Sequence, residues 1–207
     1  MRDDVFKAID VADAEALKEL LTKDATLASC RSNDGMSAVL FSMYIGKPDM
    51  TSVLLSFEPD LDIYDLSSLG GLGQISHILA TDQKIVHEFS GDGFTALHVA
   101  CYFGNADVAK MLLDNGADID KVAMNGSDLT ALQSAVASCH LDVVKVLLAF
   151  KPDLNARMLG GFTPLMSASA LGDEEIIQLL VSHGADQELR SEDGRSAADF
   201  ASLSGNQ

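Results

Sequence analysis

Positive charge is scarce in this chain. Lys and Arg number 14 against 31 Asp and Glu, a formal net charge of −17. A chain this acidic does not attract a nucleic-acid backbone or an anionic membrane surface, so neither is expected as a partner. Cysteine is also thin: Cys30, Cys101 and Cys139 are odd in number and show no CxxC spacing. That argues against a disulfide framework and for a reducing, cytoplasmic setting. No apolar run approaches the ~18 residues that would span a bilayer. The start, MRDDVFKAID, carries acids and no long apolar stretch, so it does not read as a secretory signal. GxGxxG, GxxxxGK[ST], HExxH and GxSxG are all missing. Gly70-Gly71-Leu72-Gly73 imitates a phosphate loop, but no strand precedes it and no Lys follows within reach, so it reads as a turn between helices.

What is present is repetition. Apolar residues make up 47% of 207 residues, enough for one domain with a sizeable core. In residues 92–119, Asp92-Gly93 signals a turn, and Thr95 suits the N-cap of a short helix that stops at Gly104-Asn105. From Ala106 to Asp114, Val108, Met111 and Leu112 recur at helical spacing. Gly116 supplies the left-handed residue that closes a helix. Two helices this short are marginal alone, so the unit needs neighbours. Thr95 recurs as Thr130, Thr163 and Ser196, at steps of 35, 33 and 33 residues. Leu112-Leu113 returns as Leu147-Leu148 and Leu179-Leu180, and Asn115-Gly116-Ala117-Asp118 as His183-Gly184-Ala185-Asp186.

A period near 33 headed by DGxTxLH resembles the ankyrin repeat. The resemblance implies an all-α ankyrin-repeat solenoid with short β-hairpin fingers. A single domain, 1–207, then holds six repeats plus a terminal half repeat, at about 3–33, 34–60, 61–91, 92–126, 127–159, 160–192 and 193–207. Residues 5–40 match 63–98 at a constant offset of 58, which suggests an old two-repeat duplication. The opening unit, with helices at about 5–11 and 14–23, has Asp3 where Thr95 stands, still able to cap. The third unit is short: the step from Ser37 to its equivalent, Leu61, is 24 residues, which predicts a tight turn and no finger before the helix at 63–70. Glu58-Pro59 stands where Gly116-Ala117 would be, and a residue before proline prefers extended backbone, so another exit from the helix is expected there. Asn125-Gly126 signals a type I′ turn in a lengthened finger. The last unit ends at Gly205-Asn206, the turn after its first helix.

The same resemblance implies that His98 braces a finger by hydrogen bonds. Cys101 reads as a core thiol, and Cys139, His140 and Asp142 as neighbours on a helix that do not converge. No catalytic residue, metal or cofactor is therefore expected. The face lined by first helices and fingertips places Met36, Tyr44, Ile45, Phe94, Tyr102, Phe103, Met124, Met158, Leu159, Phe162 and Leu171 as the partner-binding set, with Phe89 beside them. An apolar, aromatic face of this kind marks a binding site. Asp92, Asp128 and Glu192-Asp193 would rim it for a partner protein with a basic surface. The expected function is a monomeric module that binds a protein on its concave face, and Tyr102→Ala with Phe103→Ala is expected to spare stability. The rival readings are a self-associating structural or scaffold module and a bacterial-type secreted effector or regulator that masks its target.

Overall fold

The computed structural model describes residues 1–204. Thirteen α-helices follow one another: α1 (Arg2–Asp10), α2 (Ala14–Lys23), α3 (Ala38–Tyr44), α4 (Pro48–Leu55), α5 (Ile63–Leu69), α6 (Leu72–Thr81), α7 (Ala96–Tyr102), α8 (Ala106–Asp114), α9 (Ala131–Ala137), α10 (Leu141–Ala149), α11 (Pro164–Leu171), α12 (Glu174–Ser182) and α13 (Ala197–Ser204). They form antiparallel pairs in line, with α13 unpaired among the described residues. The odd-numbered helices pack on one another in a row, and the even-numbered helices form a second row behind. This is a two-layer solenoid. The turn expected at Gly205-Asn206 lies outside the described residues.

The inner first helices α5, α7 and α9 are buried on most sides. In α7 every residue from Ala96 to Cys101 is buried, which is why small residues crowd these seven-residue segments. The starts of several first helices are fixed by side-chain caps. Ser37, Thr95, Thr130 and Thr163 each accept a hydrogen bond from the backbone N–H three residues on, the first at 2.9 Å. Each such cap is worth about 1 kcal/mol. The fingers that precede these helices are slight: isolated bridges pair Arg31 with Ser37 and Met158 with Phe162.

Several local expectations are corrected. Asp3 lies inside α1, whose N-cap is Met1 with no side-chain cap, so Asp3 does not cap it. The third unit is anchored by Asp62, not Leu61: the Asp62 carboxylate accepts from Tyr64 N and Asp65 N, and Asp65 answers in a capping box. Glu58 does not avoid the left-handed region but enters it, at φ 50°, directly before Pro59, and Lys151 does the same at φ 57° before Pro152. Closing the helix outweighs the local preference at both places. In the lengthened finger Gly126 has φ 80°, but Asn125 is absent from the left-handed region, so the turn is not type I′. Instead the Asn125 side chain accepts from Ser127 N at 3.1 Å.

The missing finger reshapes the stack. α4 and α6 do not pack closely, so the row of second helices is interrupted there. A hollow of about 670 Å³, lined by Pro59, Leu61, Gln74, His77 and Ile78 among others, lies between the 59–61 segment and α6. On the finger side the opposite happens. The finger at 31–37 meets the finger at 89–95 directly, with a Cβ on Gly91 falling 1.6 Å from the Asp34 carbonyl oxygen. Buried apolar side chains split at this joint into two clusters, one spanning Val5 to Leu54 and one spanning Ile63 to Phe200.

Gly73, in the first turn of α6, has open space around its Cα and no positive φ. Gly73→Ala is expected to raise Tm by about 1–4 °C, because alanine restricts the unfolded chain and meets nothing in the folded one. Calorimetry of the variant checks this.

Candidate functional site: an aromatic groove on the finger face

α3 ends at Tyr44 and α7 at Tyr102, with Phe103 next in the chain. Between these helices lies α5, whose end carries the small residues Ser67, Ser68 and Gly70, so Tyr44 reaches past it. The Tyr44 ring centre is 5.5 Å from that of Tyr102 and 5.2 Å from that of Phe103, and Tyr102 and Phe103 are 5.0 Å apart. All three separations suit favourable aromatic pairs. Asp92, on the adjoining finger, is the charged neighbour of the Tyr44 hydroxyl. Burial and that neighbouring charge together push the phenol far above its ordinary value, so it stays protonated.

In front of the trio lies a groove of about 280 Å³, lined by Tyr44, Phe94, His98, Tyr102, Leu129, Ser134 and Ala137. Its histidine and its serine each already have a hydrogen-bond partner. His98 Nδ1 accepts from Thr95 N at 3.3 Å, and Nε2 is 3.0 Å from the Leu129 carbonyl oxygen. Burial holds this imidazole below its ordinary pKa, so it remains neutral, with its Nε2–H facing Leu129. The Ser134 hydroxyl donates to the Thr130 carbonyl at 3.2 Å. The groove therefore offers mainly apolar surface, with its imidazole and its serine hydroxyl proton already engaged. Tyr102 is 42% exposed at its edge.

The structure gathers Tyr44, Phe94, Tyr102 and Phe103 of the residues picked from sequence and disperses the others. Met36 borders a separate hollow with Phe6 and Phe41 beside the first finger, and Ile45 packs on the N-terminal core. Phe162 is half-buried against Phe200 on α13, ring centres 5.0 Å apart. Met158 is half-buried, whereas Met124, Leu159 and Leu171 stand exposed elsewhere. Phe89 lies under Lys121 Nζ at 5.3 Å. The trio also changes the expected effect of Tyr102→Ala with Phe103→Ala. Removing both rings deletes all three aromatic pairs at the joint, each worth about 0.5–1.5 kcal/mol, so that double variant loses stability.

Leu129 and Ala137 were missed, although a signal existed. Leu129 precedes Thr130 as Phe94 precedes Thr95, but the longer finger obscures the match. Ala137 ends α9 as Tyr102 ends α7, yet it is small and attracts no notice. A second missed pattern concerns the N-caps of second helices. Asn105 Nδ2 donates to the Ser67 and Ser68 carbonyls at 2.7 and 2.8 Å, and His140 Nε2 lies 3.0 Å from the Tyr102 carbonyl. Each ties a unit to the end of the preceding first helix. His140 thus closes α7 from behind and steadies the groove; it does not act with Cys139 and Asp142.

No group of three or more His, Cys, Asp or Glu suited to a metal occurs among the described residues. Nor, among these residues, is any helix long and apolar enough to cross a membrane. A family model for ankyrin repeats in three copies matches residues 5–123, 66–158 and 122–191. The chain belongs to the ankyrin-repeat family. The neurogenic locus Notch protein of Drosophila melanogaster is 38% identical over 113 residues, 54% of this chain and 4% of that protein. The mouse B-cell lymphoma 3 protein homolog is 39% identical over 100 residues, 48% of this chain and 22% of its own length. A Caenorhabditis elegans homolog of transient receptor potential cation channel subfamily A member 1 is 32% identical over 136 residues, 65% of this chain and 11% of that protein. The ankyrin chain thus spans a small part of each of these relatives. Ankyrin repeats are protein–protein interaction modules, and the His98 and Gln133 braces fit that architecture. Gln133 stands where His98 stands, and its amide donates to the Ala156 and Phe162 carbonyls at 3.0 and 3.2 Å.

Proposed function

We propose that this ankyrin protein binds a partner protein on its concave face, with the groove between Tyr44, Phe94, Tyr102 and Ala137 as the centre of contact. A cytoplasmic location, a monomeric state and a partner with a basic surface belong to the same reading. The observation that carries it is the groove itself: aromatic walls, a mainly apolar floor and an exposed Tyr102. Tyrosine and phenylalanine in such a position supply large contact area at low ordering cost, and a stacked solenoid presents them preformed.

Ala137→Arg tests this without removing an aromatic ring. Ala137 is exposed and is the last residue of α9, where a cation is favoured, so the long side chain fills the groove and leaves the fold intact. Wild-type protein and a remote surface control, Val11→Ser, are expected to retain the same specific protein from native lysate, and Ala137→Arg to lose it, with all three melting within a few degrees. Equal retention by Ala137→Arg would remove the groove from the interface.

A further inference from the structure

We infer that the occupant of this groove is a peptide segment presenting one bulky apolar side chain flanked by lysine or arginine. The inference rests on the protein-binding reading above and adds the chemistry of the segment. At about 280 Å³ the groove stands at the small end of ligand pockets, a size that suits one bulky side chain. Its floor has little to offer a polar group, since the imidazole nitrogens of His98 and the hydroxyl proton of Ser134 already have their partners. A polar or charged side chain seated there would lose its water with little compensation.

The rim has the opposite character. Asp92 stands on the finger beside Tyr44 and accepts from the Ser90 hydroxyl. Asp128, next in the chain to Leu129, is exposed and held at φ 55°. No Lys or Arg lines the groove. With a net charge of −17 behind them, these carboxylates, each within two residues of a lining residue, draw cations toward the apolar slot. A cation over the exposed edge of Tyr102 gains further from the ring. The same charge opposes a second copy of this chain as the occupant, because two strongly acidic molecules repel at close approach.

The test is an NMR titration of isotope-labelled full-length protein with three synthetic nonapeptides. One carries a central leucine flanked on each side by two lysines, one has alanine in place of the leucine, and one has glutamates in place of the lysines. The first is expected to shift the amide signals of Tyr102, Leu129 and Ala137, to bind at least about tenfold more tightly than the alanine peptide, the gain expected for burying one leucine side chain, and to bind more tightly than the glutamate-flanked peptide, which the acidic surface repels. Ala137→Arg should abolish those shifts, and Asp128→Lys should weaken them. If the glutamate-flanked peptide binds equally well at the same signals, the cation requirement is wrong and the groove still binds protein. If leucine and alanine peptides bind alike, if the shifts lie elsewhere, or if Ala137→Arg changes nothing, the groove is not the site and both readings fall. Absence of binding by the leucine–lysine peptide at millimolar concentration, or groove shifts that follow protein concentration alone, overturns the inference.

Discussion

Gly91→Ala should lower the melting temperature by roughly 6–12 °C, the consequence of about 3 kcal/mol lost in a chain of this size. The added methyl would lie 1.6 Å from the Asp34 carbonyl oxygen and 2.6 Å from its carbon. Both are backbone atoms, and no rotamer change relieves the clash. The φ of Gly91 is not in the left-handed region, so the penalty is one of contact and not of backbone preference. The damage should be local in the first instance. The two fingers must separate, and with them Tyr44 from its aromatic partners Tyr102 and Phe103. Because the apolar core is already divided there, α1–α4 are expected to melt ahead of α5–α13, turning one transition into two. Hydrogen exchange should show lost protection confined to α1–α4. A variant that melts within 2 °C of wild type as one transition would show that the fingers do not hold the joint.

Between pH 4 and pH 7, acid should strengthen the same joint through Asp65. This residue is 1% exposed, and its carboxylate accepts from the Ser37 hydroxyl and, at 3.1 Å, from Asp62 N. Burial is the leading cause that raises its pKa to about 6, with the Asp62 charge adding to it. Arg31, 2.8 Å from Asp62 and 3.7 Å from Asp65, offsets part of that. In the unfolded chain the carboxyl titrates near 4. A raised folded pKa means that the folded state holds its proton longer. The stabilisation is full below about pH 4 and is lost as pH rises toward 6, a swing of about 2–3 kcal/mol. Asp193, held at about 2 mainly by its bond from Arg195, and other exposed carboxylates with lowered pKa act in the reverse sense. The total curve therefore mixes both signs. Asp65→Asn isolates the effect: the stability of wild type minus that of the variant should fall by about 2 kcal/mol between pH 4 and pH 7 in denaturant titrations. A difference that stays level or rises would show that Asp65 is already ionised at low pH in the folded protein.

Much of this architecture was legible because it is periodic. Thr95, Thr130 and Thr163 recur with their leucine pairs, and physics gives each copy the same task of capping a helix too short to stand alone. Where the period fails, local preference misleads. Glu58 and Lys151 take left-handed backbone because the helix must close before a proline whichever residue is there. The third anchor shifts by one, to Asp62, because Asp62 and Asp65 satisfy each other in a capping box that Leu61 cannot form. The groove was half legible. Its aromatic residues stand out in a list of apolar positions, but their company does not. Tyr44 meets Tyr102 across the end of α5, where Ser67, Ser68 and Gly70 leave room, and that meeting joins residues 58 apart. Ala137 matters by being small, which no inspection for bulky or charged residues detects.

Tyr44 belongs to the half of the molecule whose core ends at Leu54, while Phe94, Tyr102, Leu129 and Ala137 belong to the other. The pocket is thus a shared wall, complete only while the two halves are seated together. Thermodynamic reciprocity then applies: whatever tightens on the assembled pocket must tighten the seating by the same factor. A visitor touching none of the first two helix pairs beyond a single tyrosine ring would still slow their fraying.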